Sequence, residues 1–477
     1  MKNKRIYISA LCIALAVITC LSLAGCSGSN VPAETTTTAA TTTTPNPSGS
    51  GNGNTPTSDP EYTPSLLALI DLLFEKFSIY DIDRDTAMLA AVKAYVEATG
   101  DKYAVYYSDE EWREYATENN GDLYGIGVTV VFDYTQNCIE VVSIVPGSPA
   151  EKYLKVGDFI THFYSLGKFF SVDETVDKYY EKYKEIYPDD ESILLNARYD
   201  AYQEILSNIK GEIGTIARIK VDRGGEEHTF FIERAKVKTQ SVIYKISKTD
   251  PSVGIVWINS FDLVAPAQFK EAMDALIASG VNKFVFDVRE NPGGNVASVS
   301  AVLSTLLQEG DVILSTKDSN GKSGTTVVHE VTYDPPENDK VEDYSSCSVA
   351  KGDIGKYRGY DMVVLANENS ASAAELFTAA LRDYGLAEIV GVKTFGKGSM
   401  QSLVELSAYG EDYPGVLRFT TKLYFPPCGE GYDGGIGIQP DHYVDLSEEA
   451  KKLNFYKLNE ENDDQLKKAI SVLLNID

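Results

Sequence analysis

Two residue types capable of acyl-transfer chemistry stand close together in this chain: Ser372, in Ser370-Ala371-Ser372-Ala373-Ala374-Glu375, and Lys397, in Phe395-Gly396-Lys397-Gly398. A serine hydroxyl attacks a carbonyl only when a base removes its proton. With no histidine near in sequence, a neutral lysine amine is the base on offer. Keeping it neutral near pH 7 costs about 5 kcal/mol against an ordinary pKa of ~10.4, so the lysine must be buried. Phe395 and the flanking glycines are the expected walls. The elements that would position the pair are legible. Met362 to Leu365 is an apolar run that reads as a buried strand, broken at Ala366-Asn367-Glu368-Asn369. Leu376, Phe377, Ala380 and Leu381 recur at helical spacing up to Tyr384, Gly385 marks a stop, and Ala387 to Val392 is a second apolar run. A right-handed strand-helix-strand crossover would bring both corners to one edge, where serine and lysine could meet. Ser372 to Glu375 fits an ordinary helix capping box equally well, and a glycine-flanked lysine is commonly a solvated loop residue, so these residues alone leave both readings open.

The two runs together, SASA-x-E and TFGKG-xx-Q, resemble the core of the C-terminal processing peptidases, or tail-specific proteases. The resemblance implies Ser372 as nucleophile, Lys397 as general base and Gln401 as the residue that orients the lysine. It also implies an ancillary acid at Asp383, which lies eleven residues along the helix from Ser372, about three turns or ~16 Å, and so cannot touch it. Lys283 to Val288 reads as another buried strand, ending in Arg289-Glu290-Asn291-Pro292-Gly293-Gly294, similar to the family form DLRNNPGG. From that likeness, Gly293 or Gly294 would supply one oxyanion-hole amide and Ala373 the other. Gly435 to Val444, GIGIQPDHYV, is similar to the family's closing segment.

Upstream, Tyr124-Gly125-Ile126-Gly127-Val128 resembles the carboxylate-binding loop of a PDZ domain. Val145-Pro146-Gly147-Ser148-Pro149-Ala150 and Lys155-Val156-Gly157-Asp158-Phe159-Ile160 fit what bacterial PDZ domains carry downstream. The implied partner is a protein or peptide with a free C-terminus, its carboxylate held by loop amides while its backbone adds as a strand, with Ile126 and Val128 as pocket walls. The segment 168–208 is longer than the resemblance predicts and reads as one inserted acidic helix carrying Tyr179, Tyr180, Tyr183 and Tyr187. A second long segment, 309–360, is polar and gives no clear strand pattern.

The chain begins with a basic stretch, Met1 to Arg5, an apolar run from Ile6 to Leu21, and Leu23-Ala24-Gly25-Cys26. This is a secretory leader whose end resembles a bacterial lipobox, implying acylation of Cys26 and a tether to the extracytoplasmic face of a bacterial membrane. Removing Lys2, Lys4 and Arg5 with the leader takes the net charge from −27 to about −30. Such an acidic chain argues against nucleic-acid binding and against electrostatic attachment to anionic lipid. Residues 27–60 are mostly Thr, Ser, Gly, Asn and Pro with almost no apolar content, a flexible linker with a reach on the order of 30 Å. Three scattered cysteines in the body, Cys138, Cys347 and Cys428, make no disulfide framework. The four histidines, His162, His228, His329 and His442, show no metal-ligand spacing, so neither metal nor cofactor is expected.

The expected architecture is an α+β multidomain chain with a ClpP/crotonase-like α/β peptidase core. Its parts are leader 1–25, linker 26–60, helical segment 61–121, PDZ domain 122–237 with a helical insertion, peptidase core 238–446, and C-terminal helical segment 447–477. In the helical segment, Leu66, Leu67, Ile70, Leu73, Phe74 and Phe77 form an apolar stripe expected to pack in a core. The expected function is an extracytoplasmic lipoprotein serine endopeptidase with a Ser-Lys dyad, the alternative being a catalytically inactive peptide-binding or scaffold lipoprotein. Substrate identity and oligomeric state stay open.

Overall fold

The computed structural model describes residues 65–133, 137–186, 192–334, 342–410, 413–453 and 455–476. The leader, Cys26, the linker and Tyr187 lie outside them. The described chain opens with α1 (Ser65–Phe77) and α2 (Arg84–Ala98), followed by a short strand, β1 (Val105–Tyr107), and α3 (Asp109–Asn119). Asp83 caps α2 by accepting from the Thr86 N–H at 3.0 Å, and Ser108 with Glu111 forms a capping box on α3. The expectation that the α1 stripe packs in a core is overturned: Leu66, Phe74 and Phe77 are 52%, 53% and 73% exposed. Helical periodicity identifies an apolar face without saying that the same chain covers it.

A β-rich module follows: β2 (Asp122–Gly125), β3 (Val128–Asp133), β4 (Cys138–Ile144), β5 (Phe159–Ser165), β6 (Lys168–Ser171), α4 (Val172–Ile186), α5 (Ile193–Ile209), β7 (Ile216–Arg223), β8 (Glu226–Glu233) and β9 (Ala235–Lys238). Its sheet runs β3-β4-β5-β7-β8, with β6 on β5, while β2 pairs with β9 and closes the module where it began. The single inserted helix expected over 168–208 is corrected to a strand and two helices. Ala201, Tyr202, Ile205 and Ile209 of α5 join Ile139, Ile160 and Ile219 in the module's own core, so this helix is a wall of the module and no appendage.

The core sheet is β10 (Val242–Ile246), β11 (Val253–Ile258), β12 (Lys283–Asp287), β15 (Asp361–Ala366), β16 (Ala387–Gly391) and β19 (His442–Tyr443), in that spatial order and parallel from β11 onward. Alternation along these strands explains the layering. Val256, Phe284, Phe286, Val364 and Ile389 face α6 (Ala265–Ala278), α7 (Val296–Ser304) and α8 (Ala373–Asp383). Val253, Ile255, Val285, Val363 and Val390 face the C-terminal α9 (Asp464–Leu474). A second sheet joins β1, β18 (Val416–Phe425), β13 (Val312–Asp318) and β14 (Ser323–Val327), with β17 (Ser399–Glu405) also on β18. The polar segment 309–360 therefore contains a hairpin, hidden from its sequence because β14 is largely exposed and carries no apolar alternation.

Candidate active site

Three neighbouring parallel strands, β12, β15 and β16, end at the same edge of the core sheet. From their carboxyl ends leave the loops carrying Gly293, Ser372 and Lys397, the side of an open α/β sheet where sites are built. Ser372 is 1% exposed and adopts φ 55°, ψ −116°. A non-glycine residue held there costs on the order of 1–3 kcal/mol, the signature of a sharp strand-to-helix elbow that aims a side chain. Close packing enforces the turn. The Ala371 N–H donates to the Asn291 carbonyl at 2.9 Å, and a Cβ on Gly293 would fall 2.7 Å from the Ser372 Cβ, so position 293, at φ 111°, admits only glycine.

Glu375 is the hub of the corner. Its carboxylate accepts from the Ser372 N–H (3.0 Å), the Thr394 Oγ1 hydroxyl (2.5 Å), the Gly396 N–H (2.7 Å) and the Lys397 N–H (2.8 Å). The reach-back arm of a capping box thus also clamps the lysine loop to the serine elbow. Burial pushes the Glu375 carboxyl above its ordinary value, and those four donors work against the shift. Lys397 is 8% exposed, its carbonyl accepts from the Tyr424 hydroxyl at 2.8 Å, and the next amide, Gly398 N–H, donates to Asp433 Oδ1 at 2.8 Å. Phe395, the expected wall, is half-buried, and the Tyr103 ring lies against the lysine with its centroid 4.3 Å from Lys397 Nζ.

Gln401 is buried and donates through Nε2 to Thr420 Oγ1 (3.1 Å) and Ser399 Oγ (3.4 Å). Of the oxyanion candidates, the Gly293 N–H is engaged by Asn291 Oδ1 at 2.8 Å, whereas Ala373 is the first residue of α8, where a helix supplies its amide no internal acceptor. Gly294, at φ 144°, packs so closely on Phe261 that a Cβ would lie 2.4 Å from the Phe261 carbonyl oxygen. Asp383 sits at the far end of α8, accepting from the Cys428 N–H (3.0 Å) and from Arg382 (3.2 Å), and anchors a distant loop.

Two residues of the glycine-loop motif, Arg289 and Glu290, brace the corner through partners far away in sequence. Arg289, 2% exposed, is forked between Asp287 (2.6 Å) and Asp463 (2.7 Å), tying the glycine loop to α9. Both carboxylates hold its guanidinium charged despite burial. Glu290, standing where the family form has asparagine, accepts from Asn367 Nδ2 (2.7 Å) and Asn369 Nδ2 (2.9 Å) and binds the glycine loop to the segment before Ser372.

In the β-rich module, Tyr124 to Val128 border a cleft of about 220 Å³ between the free edge of β3 and the α5 residues Tyr202, Leu206 and Ile209. Ile126 is buried in the module core, and Gly127 (φ 85°) packs on Ser148, whose hydroxyl donates to the Gly127 carbonyl at 3.1 Å. Among the described residues no group of His, Cys, Asp and Glu has the arrangement of a metal site, and no helix is long and apolar enough to cross a membrane.

A strained serine elbow, a glycine loop and a clamped lysine loop leave adjacent parallel strands, and residues 252–444 match the family model of peptidase family S41. The core is an S41 peptidase domain. The chain is 27% identical over 364 residues to the probable CtpA-like serine protease of Staphylococcus aureus strain N315, covering 76% of this chain and 61% of that one. It is 25% identical over 392 residues to the protein of the same description from Staphylococcus saprophyticus, covering 81% and 67%. Among solved structures it is similar to the photosystem II D1 C-terminal processing protease, with 21% identity, a TM-score of 0.40, and coverage of 80% of this chain and 87% of that one.

Proposed function

We propose that this chain is a serine endopeptidase that attacks peptide bonds with Ser372 and uses Lys397 as its base. The observation that carries the reading is the Glu375 clamp, which spends a buried carboxylate to hold a strained serine and a buried lysine loop together at one sheet edge. In the proposed reaction Ser372 Oγ attacks the scissile carbonyl while Lys397 Nζ takes its proton. The Ala373 N–H would donate to the developing oxyanion, and the Gly293 N–H would join it only on leaving Asn291 Oδ1. Lysine returns the proton to the leaving amine, and water then hydrolyses the acyl-enzyme. Purified chain should cleave an unfolded protein such as casein, Ser372→Ala should lose at least about 1,000-fold, and Lys397→Arg, charged at any usable pH, should be folded and inactive. Equal cleavage by Ser372→Ala refutes the assignment.

In the same reading the β-rich module is a PDZ domain that selects substrates by a free, apolar C-terminus. The cleft beside Tyr124 to Val128, with β3 as an open edge, supports this. A peptide offered as free acid should bind and be cleaved about ten- to a hundred-fold better than its amide; identical behaviour of the two would remove the tail-reading role. The Cys26 lipid anchor and the linker would place this activity outside the bacterial membrane, and Cys26→Ala should release the protein from the membrane fraction.

A further inference from the structure

The turn between α2 and β1 reaches from the N-terminal helices into the catalytic corner. The Asp101 carboxylate accepts from the Thr420 N–H (2.7 Å) and hydroxyl (3.0 Å), and Thr420 Oγ1 in turn accepts from Gln401 Nε2 (3.1 Å). Arg418 Nε donates to the Tyr103 carbonyl at 3.2 Å, and β1 then pairs with β18 through Val105–Arg418 and Tyr107–Val416. This frame lays the half-buried Tyr103 ring against Lys397, with Nζ 4.3 Å from the ring centroid. Burial holds the Tyr103 phenol above its ordinary value, so it is a neutral ring face that meets the lysine. An aromatic face attracts an ammonium and has little hold on an amine. The contact therefore favours the one form of Lys397 that cannot act as a base.

We propose that Tyr103 is a positioning residue for the catalytic lysine: in the empty site its ring face seats Lys397 as the ammonium, and an entering substrate displaces that contact and frees the amine. This rests on the Ser372–Lys397 reading. Among the described residues, the charged or titratable groups around the lysine loop include Glu375 on α8, Asp433 on Gly398, Lys393 on the Gly435 carbonyl, Tyr424 on the lysine carbonyl with Tyr432 packed against it, and Lys102, whose Nζ lies 4.9 Å from the Tyr103 centroid. Of these, only Lys102 rests on the Tyr103 ring, and it does so equally in the phenylalanine and tryptophan variants.

The test compares pH profiles of the full chain, because kcat/KM reports groups in the free enzyme and kcat those in the substrate complex. Tyr103→Leu keeps an apolar wall and loses the ring face, so the rising limb of kcat/KM should move about half to one pH unit toward acid while the limb of kcat stays. Tyr103→Phe keeps the face and should keep the limb at its wild-type position. Tyr103→Trp, with the stronger face, should move it the other way, which leaves the idea testable if the leucine variant fails to fold by thermal melt. A kcat/KM limb that is unmoved in both Leu and Trp variants, or that rises in Leu, overturns the proposal. Activity retained by Lys397→Ala would overturn the dyad itself, and this inference with it.

Discussion

Two buried carboxylates hold two different parts of this molecule, and their partners differ in a telling way. Glu375 takes donors from the serine elbow and from the Thr394–Lys397 loop, two segments that follow different strands of the core sheet. Asp262 sits at the seam between the β-rich module and the core. It accepts from the hydroxyls of Ser241 and Thr239 in the connection between β9 and β10, and from the N–H groups of Val264 (3.2 Å) and Ala265 (3.1 Å) at the start of α6. Gln268 adds to that seam, accepting from the Ser241 and Val242 N–H groups at 2.8 and 3.0 Å. One side of the seam is the cleft that continues to Tyr124 and Val130. The Ser372–Lys397 corner is thus cross-braced between strands inside a dense apolar core, whereas the module meets the rest of the chain through the Asp262 seam beside a cleft and through ion pairs such as Lys457–Glu140 and Lys210–Glu118. Precision is placed where atoms must meet within tenths of an ångström.

Breaking the corner should have the largest effect. Glu375→Gln preserves shape, yet an amide has one acceptor oxygen, and its NH₂ would be turned toward an N–H or hydroxyl donor. At least one buried donor loses its partner, so stability should fall by about 2–4 kcal/mol in urea unfolding. Displacement of serine relative to lysine should lower kcat by about a hundred-fold in the fraction that remains folded. Normal kcat in a destabilised variant would reduce Glu375 to a helix cap.

Much of that corner was legible in sequence for a physical reason. Strands buried on both faces read as continuous apolar runs, and the glycine and small-residue loops after them mark the sheet edge, so Ser372, Lys397 and Gly293 could be placed. Glu375 itself was visible only as the end of a capping box, since its other donors lie 19 to 22 residues away. Arg289 meets Asp463 across 174 residues, and Tyr103 meets Lys397 across most of the core; no local pattern encodes either. In the module, α4 and α5 read as one helix in sequence because both carry tyrosines and acidic residues, and the break between them leaves no apolar signal.

The seam should respond to pH more than to truncation. Burial lifts the Asp262 carboxyl to about 6, against hydrogen bonds that pull it down. An acid whose folded pKa lies above its unfolded value of ~3.9 binds its proton more tightly in the folded state. Its contribution to stability is therefore greatest below the unfolded value, declines as pH rises, and is lost once pH passes about 6. Asp262→Asn removes that titration. The variant should gain on the wild type between pH 4 and pH 7 by on the order of 2–3 kcal/mol, read from urea midpoints at each pH. Parallel stability curves for the two proteins would mean that the seam relaxes around the charge.

The smallest and most diagnostic change lies in the groove. Tyr202 Oη donates to the Val130 carbonyl at 2.7 Å, out of solvent. Val130 pairs with Val141, whose own N–H and carbonyl bond away from β3, to Asp158 and Gly157, so the polar backbone of Val130 faces the open edge. A peptide adding to β3 would have to take that carbonyl from the tyrosine. In Tyr202→Phe the ring still fills its place, but the empty groove is left with an unpaired carbonyl, costing about 1 kcal/mol of stability. A bound peptide would recover the same energy through its own N–H, so a labelled peptide with a free apolar C-terminus should bind about five-fold tighter by fluorescence polarisation, with kcat unchanged at saturation. Tighter binding with a lower melting temperature would mark the groove as held shut by its own helix. Unchanged or weaker binding would make the hydroxyl a fixed strut, and the compliance assigned to this side of the molecule would then have to reside in the Asp262 seam alone.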